Sequence, residues 1–385
     1  MTTTPCLAKT TTFFQLLDQL PDLDGRDNRG KQHPIALVIT GLVAALCCGR
    51  DGSMSSLHRH MVNQFTPLAL ATRMTQHKPI SRAQLPIVLA KINGTRFARL
   101  IFDWFGLQLD AHQKKWFAID GKELRGSIEP THTRGEACVS ALAHDSEQIL
   151  AQAYYSGTKQ SERPTVRDLL ADEGLNSQHL TLDALHLNPL TVNAINQADG
   201  VYIIGVKANQ AHLYRYCICR QLGKPADYWR VDEPQRGHGR CEERHYNCFR
   251  IAPSGLDWRW RNAGFSTLLC VRRSRQRLDG SKARSVVSYF LSNAQPTSTL
   301  EAAALFDAIR GHWRIEVMHH RRDVTLSEDA LLTKVQAISR LMSGLRTLVI
   351  NLLQRSKPKN MVARLDGFAD QFDTLIQFLT QELVL

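Results

Sequence analysis

Along the first hundred residues, apolar positions recur at intervals of three and four. They then gather into short unbroken runs, and after Thr299 the helical spacing returns. Phe13, Phe14, Leu16, Leu17 and Leu20 fit one helix face, closed by Pro21. Residues 35–48 read as a buried helix stopped by Gly49. A third helix starts at Ser53 or Ser55, either of which suits a cap, and carries Leu57, His58 and Met61. Ser81 caps another through Leu85, Leu89 and Ile92, and a last one runs from about 95 to 105. From Trp116 the runs shorten to strand length: 116–119 (WFAI), 137–143 (ACVSALA) and 149–155 (ILAQAYY), the last two joined by a turn at His144-Asp145-Ser146. A helix at 164–173, a strand at 180–183 (LTLD), a helix at 189–197 and a strand at 201–206 (VYIIGV) follow. From about 210 to 300 the chain is β-rich, with strands expected at 228–231, 244–251, 267–272 and 286–291. Helix resumes at Thr299 and passes Arg314. Residues 335–353 are strongly amphipathic, and a short C-terminal helix closes the chain.

Charge narrows the partner. The net charge is +12 and the isoelectric point about 9.4, which favours a polyanion, nucleic acid before an anionic membrane. Hydrophobic residues make up 43% and charged residues 22%, as in ordinary globular proteins. No run approaches the roughly 18 apolar residues of a membrane span, and the N-terminus lacks a secretory pattern, so a cytoplasmic location is expected. Nine scattered cysteines fit reduced thiols, and the spacing of Cys217, Cys219, Cys241 and Cys248 matches no structural zinc pattern. The bases spread along the N-terminal helices leave a helix-turn-helix DNA reader open. Arg272, Arg273, Arg275 and Arg277 surround a turn expected at Asp279-Gly280, which is either a solvated hairpin or a phosphate contact.

Two short strands end in aspartate, Asp120 and Asp183, and Glu316 follows on a late helix. The separations are 63 residues (120 to 183) and 133 residues (183 to 316). Each has a plain alternative: an Asp-Gly hairpin turn at Asp120, a helix cap at Asp183, an exposed helix glutamate at Glu316. Three antiparallel strands extended by helix-crossed parallel ones form the ribonuclease H-like order. There the first and fourth strands are neighbours, and their carboxylates converge. Carboxylates that converge repel one another unless divalent cations neutralise them. Mg²⁺, bound by oxygen ligands, suits phosphodiester chemistry, with two ions clamping the attacking and leaving oxygens. Seven residues separate Glu316 from Asp323, so an unbroken helix would point both the same way.

At these residues the chain resembles the H-repeat-associated family of DDE insertion-sequence transposases. The similar stretches are residues 13–57, AIDGKELRGS, VSALA, the Lys159/Ser161/Glu162 stretch, TLDALH, VYIIGVKANQ, RGHGRCEER and IRGHWRIEVMHHRRDVTLSED. The resemblance implies a catalytic, metal-binding triad of Asp120, Asp183 and Glu316 with two Mg²⁺ ions, Mn²⁺ being able to substitute. It implies DNA as partner, both element ends and target, bound by an oligomer of the chain. It sets Lys207, Asn209 and Gln210 beside the active site, and makes Arg236, His238 and Arg240 part of a basic loop. Lys122, Arg125, Arg272, Arg273, Arg275, Arg277, His312 and Trp313 complete the expected DNA contacts, although Trp313 also suits a core position. The chain departs from the family after Glu316, where Val317, Met318, His319 and His320 replace an Asn and a Leu-His-Trp sequence. The expected architecture is α/β: a helical N-terminal domain (1–108), then a ribonuclease H-like catalytic domain (109–385) with a β-rich insertion at about 210–300 and C-terminal helices. The alternatives are a metal-dependent nuclease of the same fold and an inactive or domesticated DNA-binding relative.

Overall fold

Eight residues, Trp116–Glu123, form strand β1 in the interior of the sheet. It is longer than the apolar run that announces it, because its partner β2, Glu136–Ala143, pairs along its length. Asp120 lies opposite Ser140, while Gly121 and Lys122 continue the ladder opposite Val139 and Cys138. Asp120-Gly121 is therefore strand interior and not a hairpin turn. The computed structural model describes residues 12–382 apart from positions 21, 28–30, 75–77, 106–108, 110–112, 158, 238, 253–255 and 282.

The other strands are β3 (Ile149–Ser156), β4 (His179–Leu182), β5 (Val201–Val206), β6 (Tyr228–Val231), β7 (Gln235–Gly237), β8 (Arg240–Arg250), β9 (Thr267–Arg277) and β10 (Ala283–Ser292). They make one mixed sheet in the order β3-β2-β1-β4-β5-β10-β9-β8-β6, with β7 also on β8. β1, β2 and β3 are antiparallel neighbours, and β4 and β5 run parallel to β1. The β-rich segment is not a separate lobe: β10 pairs antiparallel with β5 and extends the same sheet. β8 and β9 run much longer than their apolar cores, since the two strands pair through residues 240–277 and carry their arginines on the ladder rather than on a turn.

Helices cover both faces. On one lie α7 (Lys159–Asp172), α8 (Pro189–Gln197) and α9 (Ala211–Gly223). Val166, Leu170, Val192, Ile195, Leu213 and Cys217 from these helices join Phe117, Ile119, Leu180 and Ile204 in one core. The opposite face carries α10 (Thr299–His320), started by the Ser298 cap on the Glu301 amide. It also carries a layer drawn from both ends of the chain. α1 (Phe13–Gln19), α2 (Ile35–Cys47), α3 (Met54–Asn63), α4 (Phe65–Ala71), α5 (Gln84–Leu89) and α6 (Gly94–Phe105) form the N-terminal part. α11 (Gln336–Arg355), α12 (Met361–Asp370) and α13 (Phe372–Gln381) form the C-terminal part. Residues of all these helices share one core with Ala118 and Leu142 of the sheet. Every residue of α2 is buried. α11 packs on α6 and α2, and α12 on α2, so N- and C-terminal helices contribute to the same core. Among the described residues, no helix is long and apolar enough to cross a membrane.

α10 does not run on to Asp323. A π-helical turn, Arg321–Thr325, follows His320 and shifts the register. The shift turns Asp323 toward β1, where Lys122 Nζ lies 2.7 Å from Asp323 Oδ1 and 3.1 Å from Glu328 Oε2. Arg322, fully buried, donates to both oxygens of Glu328 at 2.9 and 2.5 Å and to the Ser343 hydroxyl of α11 at 2.5 Å. Burial alone would raise the Glu328 carboxyl; the neighbouring Arg322 and Lys122 charges overturn that and hold it at about 2. This network ties the strand that bears Asp120 to the helix that bears Glu316.

Removing one partner of a buried ion pair leaves the other charge uncompensated, at a cost of about 3–5 kcal/mol. Glu328→Ala is therefore expected to lower unfolding free energy by that amount in urea titrations. Because the folded carboxyl titrates below its unfolded value, its contribution is present above about pH 4.5. It should fade as pH falls toward 2, so wild type and Glu328→Ala should converge in stability there.

Candidate active site

The parallel register pairs Ile119 of β1 with Leu182 of β4 and Leu182 with Ile204 of β5. The next residue in each strand direction is Asp120, Asp183 and Gly205. Two carboxylates thus stand side by side on adjacent interior strands, with a side-chain-free position beside them. Asp183 lies one residue past its strand, and its Oδ1 caps the Ala184 amide at 2.6 Å, so its role as a cap and its place in the cluster coexist. α10 crosses this face. Ile309, His312, Trp313 and Glu316 occupy one side of it at helical spacing and line the same cavity as the two aspartates. α10 approaches closely because residue 311 is glycine: a Cβ there would collide with the His144 ring.

The cavity measures about 720 Å³ and has two unlike ends. At one are Asp120, Asp183 and Glu316. Burial raises the Asp120 carboxyl to about 7, opposed by a backbone hydrogen bond at Gly121 and reinforced by the charges of Glu162, Asp183 and Glu316. Burial pushes the Asp183 carboxyl the same way, yet the Lys207 ammonium, 3.1 Å from its Oδ1, and the Ala184 amide hold it below the usual range. His319, one turn after Glu316, places Nδ1 3.6 Å from Asp120 Oδ2. Burial and the Arg322 and Lys122 charges keep that imidazole neutral down to about pH 3. His312 donates or accepts at 2.9 Å with the Thr181 hydroxyl, and burial lowers it to about 4. Among the described residues, no three His, Cys, Asp or Glu side chains already stand close enough together to hold a metal ion.

At the other end are Arg240 and Arg244 of β8, Arg273 and Arg275 of β9, and Arg310 of α10. Arg244 lies opposite Arg273, and Glu242 opposite Arg275. Glu242 pairs with Arg244, and with Arg275 at 2.6 Å. Partial burial and the charges of Arg275, Arg244 and Arg240 depress Arg273, the mark of a surface short of anions. Arg310 is held by Asp232 and Gln235 at 3.1 and 3.0 Å.

The expected site residues distribute unevenly. Asp120, Asp183, Glu316, Lys207, Arg240, Arg273, Arg275, His312 and Trp313 meet in the cavity. Trp313 is 63% exposed, so it is not core. Lys122 is 7% exposed, lies outside the cavity lining and is held among Asp323, Glu328 and Asp329. Arg125 is exposed but sits outside the cavity, on the turn after β1 near Asp329. Asn209 is exposed at the entry to α9. Gln210 begins that helix and bonds Leu187 O, so both stand beside the cavity without lining it. Arg236 is exposed on β7, Arg272 points to the other face of β9, and Arg277 lies at the strand's end opposite Arg240. His238 falls outside the described residues. Glu242, Arg244 and Arg310 were not anticipated. Strand alternation from Arg240 would have found the first two; helical spacing from Glu316 leads to Ile309, His312 and Trp313 and passes over Arg310.

No family model matches the chain. It is 24% identical over 348 residues to the "H repeat-associated putative transposase YhhI" of Escherichia coli K12, covering 87% of this chain and 88% of that one. "Putative transposase YncI" of Escherichia coli O157:H7 is 25% identical over 278 residues, 70% of each chain. "Putative protein YbfL" of Escherichia coli K12 is 26% identical over 279 residues, 70% and 72% of the two chains. The resemblance read from the motifs is borne out.

Gly311→Ala should force α10 away from the sheet, at a cost of about 1–3 kcal/mol. Chemical denaturation should register the loss, and His144→Ala in the same chain should restore part of it.

Proposed function

We propose that this chain, a relative of the H-repeat-associated transposases, is itself a transposase of the DDE type acting on DNA. The observation that supports the reading is that Asp120, Asp183 and Glu316, far apart in sequence, all line one cavity that arginines also line. The strand order β3-β2-β1-β4-β5, antiparallel then parallel, supports a ribonuclease H-like core. The reaction proposed is hydrolysis of a phosphodiester at an element end, followed by attack of the freed 3′-hydroxyl on target DNA.

The three carboxylates carry the all-oxygen donors that Mg²⁺ or Mn²⁺ takes, and would have to draw closer together to share an ion. Burial first, and then the charges of Glu162, Asp183 and Glu316, raise the Asp120 carboxyl, and a dication beside it would offset both. Bound there, two ions would supply Lewis-acid stabilisation to the attacking and leaving oxygens. The chain's own groups do the rest. Arg240, Arg244, Arg273, Arg275 and Arg310 hold phosphates and set the strand's position in the cavity. The exposed ring of Trp313 offers a stacking face next to Glu316. Lys207 balances Asp183 until a ligand arrives.

A second reading has its own support. With the Lys207 ammonium on Asp183, part of the carboxylate charge is already met from within. An inactive DNA-binding relative would look like this. Calorimetric titration with Mg²⁺ separates the two readings, because the enzyme requires the ion and the binder does not.

Asp120→Asn should abolish Mg²⁺-dependent strand cleavage of DNA carrying the element ends while leaving DNA binding intact; cleavage retained in that variant overturns the assignment. Arg273→Ala/Arg275→Ala should weaken DNA binding across sequences and reduce the slope of log affinity against log salt by about 2. An unchanged slope would remove β9 from the DNA path.

A further inference from the structure

A fourth carboxylate lies behind the first two. Glu162 stands in the first turn of α7, on the opposite face of β1 from Asp120, and is 5% exposed. It contacts the residue after Asp120 and the far end of the short turn that Asp183 caps. Toward β1 it packs on Gly121, the residue after Asp120: a Cβ at 121 would lie 2.5 Å from the Glu162 carboxyl carbon. Toward β4 its Oε1 lies 3.2 Å from Nε2 of His186, which is fully buried on the turn that Asp183 begins. Its Oε2 accepts from the Tyr155 hydroxyl of β3 at 2.8 Å.

One side chain therefore touches three elements, and two of those contacts fall on the residue after Asp120 and on the turn that Asp183 caps. Burying this carboxylate is costly, and stability alone does not call for it, since an apolar side chain would fill the same space. Glycine at 121 is what gives it room.

We propose that Glu162 is a positioning residue of the carboxylate site, fixing Asp120 relative to Asp183 by bracing Gly121 and the His186 turn. The inference rests on the reading of those two aspartates as cation ligands. Groups that orient ligands typically change metal affinity by about 10–100-fold when altered.

The test uses Mn²⁺ alone on the full chain, with bound ion followed by electron paramagnetic resonance and a thermal melt on each variant. Wild type should bind Mn²⁺ and Asp120→Asn should not. Glu162→Gln, nearly isosteric, should bind about 10-fold more weakly or worse. Its folded fraction should remain that of wild type at the assay temperature. Tyr155→Phe, which frees one oxygen of the brace, should weaken binding in the same direction by a smaller factor. It decides the matter should Glu162→Gln fail to fold. If wild type binds, Asp120→Asn does not, and Glu162→Gln and Tyr155→Phe match wild type, the positioning role is overturned and the carboxylate site stands. If Asp120→Asn binds as wild type does, or neither binds, the reading of the site falls and the inference with it.

Discussion

Carboxylates gathered on one surface push apart, and a scaffold that gathers them has to resist that push. Here the resistance comes from a buried ion network. Lys122, two residues beyond Asp120, reaches Asp323 and Glu328, and Arg322 grips Glu328 from within the core. One end of the network belongs to the strand that carries Asp120, and the other to the turn that ends the helix of Glu316. The spacing of acidic groups at the surface is thus set by oppositely charged groups beneath it. Buried pairs of this kind are weak evidence for net stability, because desolvation offsets the attraction. Their value is geometric: the bidentate Arg322–Glu328 contact admits few alternative arrangements.

The cavity joins two surfaces of opposite sign without letting them neutralise each other. Lys207 stands at the boundary, paired with Asp183. Beyond it, β8 and β9 present bases on alternate residues toward α10, so pleat and register together place Arg244 opposite Arg273. Glu242 is the one acid in this row at the cavity, and it orders two arginines rather than cancelling the field. A polyanion entering from this side meets the bases first and the carboxylates next.

Much of this was legible in the sequence. The bounds of α8, β5 and β6 coincide with their apolar runs, since turn residues flank each tightly. The parallel neighbours β1 and β4 follow from the strand and helix order, and with them the meeting of Asp120 and Asp183. Three things were not legible. Periodicity gives a helix its face but not its partner, so the sharing of one core by α2 and α11 was hidden. The polar ends of β8 and β9 carry no apolar pattern, because their pairing satisfies the backbone while both faces meet solvent or a wet cavity. Lys122 looks like a surface base in sequence; only the π-helical turn after α10 brings the acids that bury it.

The sharing of one core by both ends of the chain has a consequence for synthesis. α2 leaves the ribosome before any strand of the sheet, with every side chain destined for burial, yet α11 and α12, which pack on it, follow only after the whole sheet. Contacts so distant along the chain close slowly, and the greasy N-terminal segment must wait for them. A product cut short by a frameshift or a premature stop before α11 would lose more than its tail. It would expose α2 and leave the Arg322–Glu328 pair without Ser343. The fold thus makes completion of translation a condition for competence.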